Sequence, residues 1–437
     1  MTMNVNMTRR SLVASALAAP FALTCCSAQT GGDADTKAAG FTPALDKGTA
    51  GELRVVGNYN NFEALEGEFD RFAKIYPNVQ ASYTYLDNYN SSIAPALSGS
   101  DAPDIFCGFS WMAGRPDYDE LFSHAEDLSS QDLKIDVGAV RESLLSPDSA
   151  GRVLMIPVLS STYGMIVNED ILKKEGLEVP KTLTALQEVC QRLKQAGYVS
   201  PIVGYNKPKN MWQTLANPHI YKQMVGNESA VQALNSLTPS AGEFVRPTLE
   251  YVRAMVERCG IDLPTCDAVG DDYDKLILRF FEGDIPMILG SAETMSGTAK
   301  REHTSKTFEN NPFSYSFRLI PANDDGLFSV DNAYLLFAVN ATAQNLSIAN
   351  EFMRFLISTE ELNELARVKG VLTASAAGSD DPSYSALNDV NNANVVSSVR
   401  VGLSDGAITQ VRLLAYEVGN GRMSVDDAVA AYGSIEG

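Results

Sequence analysis

Residues 151–186 read GRVLMIPVLSSTYGMIVNEDILKKEGLEVPKTLTAL, and the order of elements in this stretch decides the fold class. Residues 153–158 and 163–167 are short, β-rich apolar runs bounded by Gly, Pro and Ser, a pattern that predicts strand, loop, strand. Asn168 is placed to cap a helix over 169–175, with acids in its first turn and Gly176 just past its end. Pro180 then interrupts the chain, and Thr182 and Thr184 open another helix whose apolar positions Leu183, Leu186, Val189, Cys190 and Leu193 recur at helical spacing. Tyr163 starts the second strand beside Ser160, Ser161 and Thr162. At a crossing between two domains its ring would face a cleft.

The same alternation extends upstream. Residues 53–57 read as a first strand; Phe62, Leu65, Phe69, Phe72 and Ile75/Tyr76 form the apolar face of a first helix; 79–86 is a second strand, 91–97 a helix and 105–109 a third strand. Strands separated by helices imply crossover connections and mainly parallel sheets, hence an α/β fold. In open α/β sheets ligands bind beyond the carboxyl ends of the strands, which selects Asn58, Tyr59, Asn60, Ser110 and Trp111. A chain of 437 residues is too long for one core, so two lobes are expected.

The segment 151–186 resembles the "G-x-x-y-x-x-P … y-N-x-d-l-f-k-k-a-G-l … P-x-T-w" signature of the extracellular solute-binding proteins (family 1, carbohydrate type) that serve bacterial ABC importers. FEALEGEFDRFAKIYPNVQASY (62–83), APDIF (102–106), FFEGDIPMILGSAE (280–293) and ANEFMRFLISTEELNELARVKGVL (349–372) resemble four further motifs of that family, in the family's order. Two positions depart from it. Leu183 stands where the family usually has Trp, and Ser291, Ala292 and Glu293 replace the aromatic cluster after "M-x-x-x-g". The resemblance implies a periplasmic-binding-protein-like (type II) fold of two α/β lobes with crossings near 157–163, 286–290 and 340–345. Lobe one would then be 51–158 with 289–340, and lobe two 159–288 with 341–437. It also implies a monomeric receptor that captures a sugar or oligosaccharide and hands it to ABC permease subunits. The alternatives are the same role for a peptide or polyamine, or a secreted glycan-acting enzyme.

The N-terminus reads as an export signal over 1–25. Arg9 and Arg10 precede an apolar stretch over 12–23, which as a helix spans only about 18 Å and falls short of a membrane. Leu23-Thr24-Cys25-Cys26 resembles a bacterial lipobox with Cys26 as the lipidated residue, and Thr8 to Leu12 also resembles a twin-arginine signal, so the export route stays open. Residues 26–50 have few bulky apolar side chains and form a flexible tether. The mature protein is then expected at the outer face of the bacterial cytoplasmic membrane, held by lipid. A formal charge of −20 opposes nucleic acid and anionic headgroups.

The expected ligand contacts are Tyr59, Asn60, Glu63, Trp111, Tyr163, Trp212, Ser291, Asp331 and Asn332. Each has a plainer alternative. Trp111 follows a buried strand and either stacks on ligand or closes the core. Trp212, in the polar context NKPKNMWQTLANPHI, lies where the resembling proteins carry second-lobe contacts and has the same two readings. Asn60 and Glu63 bind sugar hydroxyls or cap the first helix; Ser291, Asp331 and Asn332 reach ligand or serve turn chemistry. No catalytic residue, cofactor or metal is expected. Gly402 to Gly406 fits G-x-S-x-G, but a nucleophile elbow needs a later histidine and the last one is His303. His124, His219 and His303 are isolated, Asp271, Asp272 and Asp274 lack EF-hand spacing, and no phosphate loop is present. Cys259 and Cys266 flank GIDLPT and are either disulfide-bonded or two free thiols.

Overall fold

The strands, in chain order, are β1 (Ala50–Gly57), β2 (Asn78–Tyr85), β3 (Ile105–Gly108), β4 (Ile156–Ser161), β5 (Tyr163–Asn168), β6 (Ile202–Val203), β7 (Met287–Ser291), β8 (Tyr315–Leu319), β9 (Ser329–Val339), β10 (Leu372–Thr373) and β11 (Val395–Ser397). They belong to a computed structural model that describes residues 41–99, 101–109, 122–148, 150–388, 390–391 and 394–436. Among these residues the strands form two sheets. One has the order β10-β4-β9-β3-β1-β2, with β11 beside β9; the other has the order β6-β7-β5-β8. Helices lie between the strands, so the fold is α/β with two lobes.

Local sequence accounts for the elements of the deciding stretch. Asn168 accepts a hydrogen bond from the Ile171 amide at 3.0 Å and caps the helix Glu169–Lys174. Thr182 does the same for Ala185 at 3.2 Å and opens the helix Leu183–Gln195, whose Leu186, Val189, Cys190 and Leu193 face the core. The first strand of the pair lies three residues later than its apolar run, at 156–161, because it pairs antiparallel with β9 across Pro157 through a register shift. A proline can be accommodated there because it only has to forgo one ladder donor.

The sheets are mixed rather than mainly parallel. β1/β2, β1/β3, β6/β7 and β9/β11 run parallel, whereas β3/β9, β4/β9, β4/β10, β5/β7 and β5/β8 are antiparallel. Four of the five antiparallel pairs include β5 or β9, the strands that enter a sheet from the other lobe instead of through a crossover helix.

Two apolar cores mark the lobes. The first joins Leu53 to Leu159 with Ala333 to Ala374, except Leu372; the second joins Met165 to Val330 with Leu372 and Tyr384 to Tyr432. The chain therefore crosses between Ser161 and Tyr163, within β9 near 330–333, and again between 374 and 384. This departs from the expected boundaries. Residues 289–319 sit in lobe two, since β7 and β8 flank β5, and residues 341–374 sit in lobe one, where the helices Leu346–Leu356 and Thr359–Lys369 pack on the first core. Pro286 and Gly290 belong to lobe two, and Asn340 is anchored in lobe one through Pro103 and Asp104. Periodicity identifies a buried strand but not which sheet buries it.

Of the two readings for Cys259 and Cys266, the structure has the free thiols, both buried. Cys259 ends the helix Arg246–Cys259 with its Sγ 3.8 Å from the Met255 sulfur and beside Cys190, while Cys266, on the next helix, turns toward the Gly204 backbone. Gly260, at φ 61°, swings the chain between them so that the thiols enter different parts of the core.

Outside the lobe boundary, Glu68 is fully buried between the helices Glu63–Ile75 and Thr359–Lys369. Burial, then the neighbouring Glu361, pushes its carboxyl well above the usual range against the opposing pull of Arg71, which holds Glu361 at 2.6 Å. A carboxyl whose folded value is raised stabilises the fold below its unfolded value and loses that contribution as pH rises through the folded one. Stability should therefore decline as pH rises above about 4.3. Glu68→Gln should flatten that decline in melting scans across pH. An unchanged slope would mean Glu68 is ionised in the folded protein.

Candidate ligand-binding cleft

β7 leaves its sheet at Gly290 and Ser291 and turns directly into the helix Ala292–Lys300, which carries Glu293 in its first turn. A side chain at Gly290 would meet the Thr294 hydroxyl at 2.3 Å, so only glycine lets strand and helix approach this closely. Tyr163, the first residue of β5, pairs across from Ser291; Ser161, the last of β4, pairs across from Asn332. The lobe crossing thus gathers Ser161, Tyr163, Ser291, Glu293 and Asn332 at one place.

A cavity of about 280 Å³ opens here, lined among others by Tyr163, Tyr205, Gln213, Tyr273, Ser291 and Glu293. The Tyr163 hydroxyl accepts from Asn217 at 2.9 Å and from Gln213 at 3.5 Å, which fixes the ring. Tyr205 and Tyr273 stack 6.1 Å apart at an interplanar angle of 15°, and the Tyr205 hydroxyl donates to the Asp272 carbonyl at 2.9 Å. The Glu293 carboxylate reaches the Ser161 and Ser291 hydroxyls, and burial shifts its pKa upward against those bonds. Rings and directional polar groups around a concave space suit a small polar ligand.

Lobe one supplies Tyr59 and Tyr334, whose hydroxyls act on each other and both lie in the field of Glu293. Tyr59 is held by its amide, which donates to the Tyr83 hydroxyl at 2.9 Å, and by Phe62, 5.0 Å away between ring centroids. Lys369 places its Nζ 4.2 Å from the Tyr59 ring centre; burial, then Lys300, lowers its pKa. Burial raises that of Tyr59.

Of the expected contacts, Tyr59, Tyr163, Ser291 and Asn332 lie at this junction. Asn60 and Glu63 are exposed on the rim, and neither caps the helix Glu63–Ile75; Glu63 accepts instead from Asn61 at 3.1 Å. Asp331 is taken up elsewhere. It is 4% exposed and forms a two-point pair with Arg141, Nε to Oδ2 and Nη2 to Oδ1 both at 2.9 Å, so its carboxylate is committed to an internal ion pair. Trp212 is fully buried, donating to Asn206 at 2.8 Å, and offers no face to a cleft. Its polar sequence context reflects partners inside the lobe, not solvent. Trp111, Ser110 and Cys26 lie outside the described residues.

Glu293, Tyr205, Tyr273 and Tyr334 were not anticipated as contacts. The departure at Ser291-Ala292-Glu293 was a signal for the first. Tyr273 sits inside the acidic run that had drawn attention only as a metal candidate, and among the described residues no three metal-ligating side chains cluster.

A larger cavity of about 670 Å³ lies between Arg141–Ser143, Lys222–Glu228 and Val395–Val401. It has no aromatic lining residue, and three of its charges are paired, Arg141 with Asp331 and Arg400 with Glu142 at 3.0 Å. The tyrosine-lined site is the better candidate.

Comparison with known proteins agrees with this architecture. The melibiose/raffinose/stachyose-binding protein MelE of Bacillus subtilis is 22% identical over 309 residues, which cover 68% of this chain and 67% of MelE. The apo form of RafE from Streptococcus pneumoniae superposes with a TM-score of 0.67 at 17% identity, over 87% of this chain and 97% of RafE. A family 1 extracellular solute-binding protein from Bifidobacterium longum subsp. infantis does so with a TM-score of 0.64 at 18% identity, over 88% and 98%. Residues 57–362 match the family model described as bacterial extracellular solute-binding protein. Two lobes, three crossings and a match over most of its length make this chain a member of the bacterial extracellular solute-binding proteins.

Proposed function

We propose that this chain is an exported receptor that captures an oligosaccharide between its lobes and delivers it to an ABC permease, without catalysis. The observation that carries this reading is the junction where Tyr163, Tyr205 and Tyr273 of lobe two line a small cavity and Tyr59 and Tyr334 of lobe one lie in the field of its Glu293. Sugar rings expose axial C–H faces that pack on aromatic planes, and their hydroxyls need directional partners. Support comes from the relatives: MelE is named for melibiose, raffinose and stachyose, and RafE has been crystallised with raffinose.

Mechanism follows from differential contact. A ligand touching both lobes stabilises the closed state by its excess affinity for that state, whereas one touching a single lobe shifts nothing. Moving an open:closed ratio from 99:1 to 1:99 takes about 5.5 kcal/mol of such preference. The three crossings allow bending between two rigid sheets. With raffinose or stachyose at a hundredfold excess over Kd, stability should rise by about 2.7 kcal/mol. X-ray scattering should show a smaller radius of gyration at the same time. Stabilisation without compaction would mean one-lobe binding and would end the closure mechanism.

Cys26 is proposed as the lipidated residue, because the stretch that precedes it is too short to span a bilayer and multiple acyl chains anchor stably where one does not. Cys26→Ala should abolish lipid labelling and leave the protein shed or unprocessed. Retained labelling, carried by Cys25, would overturn the assignment.

A further inference from the structure

We propose that Glu293 makes this cleft select saccharides that carry a free amino group, an inference that rests on the saccharide reading above. The carboxylate lines the cavity, and its Oε1 is buried without a hydrogen-bond partner. Its surroundings are aromatic and hydroxylic. Tyr59, Tyr163, Tyr273, Tyr334 and Tyr384 all lie in its field, and the nearby Ser161 and Ser291 hydroxyls favour its charged form.

The nearby cations have other partners. Arg301 pairs with Asp274 through its Nε at 2.7 Å, and Lys369 sits over the Tyr59 ring with Glu63 in its field. Among the described residues, the groups acting on Glu293 are two hydroxyls and its own backbone amide. A largely buried carboxyl with an unfilled acceptor and no paired cation is costly to ionise unless a cation arrives to balance it.

An ammonium group meets each demand at once. It donates to Oε1, neutralises the charge and is attracted to tyrosine faces within about 6 Å. A sugar hydroxyl or an N-acetyl amide fills the acceptor but leaves the charge. The glycan-binding reading supplies the ring that stacks; Glu293 supplies the reason to prefer an amine on it. The departure at Ser291-Ala292-Glu293 replaces an apolar, aromatic contact expected from the family resemblance by this charged one.

The test is isothermal titration of the full mature chain with the unacetylated trimer of glucosamine, its N-acetylated counterpart, raffinose and spermidine, at low and high salt. The unacetylated trimer is expected to bind at least about thirtyfold more tightly than its acetylated form, to lose that margin in E293Q and to weaken with salt. E293Q should melt no lower than the wild type, because the substitution removes an unpaired charge. If the acetylated trimer or raffinose binds as well as the amine and E293Q changes little, the amine preference is overturned and the saccharide reading stands. If spermidine alone binds, the saccharide reading fails and this inference with it. If E293Q does not fold, salt-insensitive binding of the unacetylated trimer to the wild type overturns the proposal, and salt-weakened binding supports it.

Discussion

Trp212→Ala should destabilise the protein by about 3–5 kcal/mol, among the largest effects any single truncation can have here. The indole lies in the helix Asn210–Met224 with no exposed surface. It packs edge-on against Tyr416 at 6.5 Å and so close to Gly419 that a β-carbon there would stand 2.0 Å from the ring. Its Nε1 donates to Asn206, which in turn bonds Asp267 and Asn420 at 2.8 Å each. Truncation would open a cavity between the helices Asn210–Met224 and Asp405–Gly419 and also leave Asn206 short of a partner. Trp212→Phe keeps most of the ring area and loses the hydrogen bond, so it should be milder. Denaturant unfolding followed by circular dichroism measures both. Ligand affinity of the Phe variant should stay within about threefold of wild type. A large loss of affinity with stability intact would restore Trp212 as a binding platform.

The second large effect is expected at Arg141. Its guanidinium holds Asp331 at two points, donates to the Thr373 carbonyl at 2.8 Å and reaches Ser160 at 2.6 Å, so it ties β9, β10 and β4 together beside the lobe crossing. Asp331 is 4% exposed, and the Ser143 hydroxyl also donates to it. Arg141→Met leaves that carboxylate buried without its cation, a change that typically costs about 3–5 kcal/mol. Replacing both residues, Arg141→Met with Asp331→Leu, should recover much of the loss, since the penalty comes mainly from the stranded charge. Hydrogen exchange at 372–376 should accelerate in the single variant more than in the first-lobe strands β1 and β2. Equal destabilisation of the single and double variants would show that the pair itself, and not the stranded anion, stabilises the crossing.

Much of the cleft was legible as local chemistry. Tyr163 follows small polar residues at a strand start, so its exposure to a crossing could be read from neighbours one to three positions away. Ser291 stands at a strand end for the same reason, whereas Asn332 lies inside β9 and reaches the junction through its pairing with Ser161. Trp212 and Asp331 misled because their surroundings in sequence are polar while their partners are distant. Asn420 helps satisfy the network around Trp212 from 208 residues away, and Arg141 neutralises Asp331 from 190. Nothing local distinguishes an aromatic ring satisfied inside a core from one waiting for a ligand.

The sequence alone determined the α/β class, the caps at Asn168 and Thr182, the helix faces and the kinship with solute-binding proteins, because each depends on residues within a turn or two or on motifs kept in order. Only the tertiary structure decided which lobe owns 289–319 and 341–374, that β9 carries the second crossing, that Cys259 and Cys266 stay apart, and that five tyrosines from both lobes lie in the field of Glu293. Those outcomes depend on which sheet a buried strand joins and on what then lies across the cleft. That choice is made by the summed packing of two whole cores, and no short window of the chain contains it.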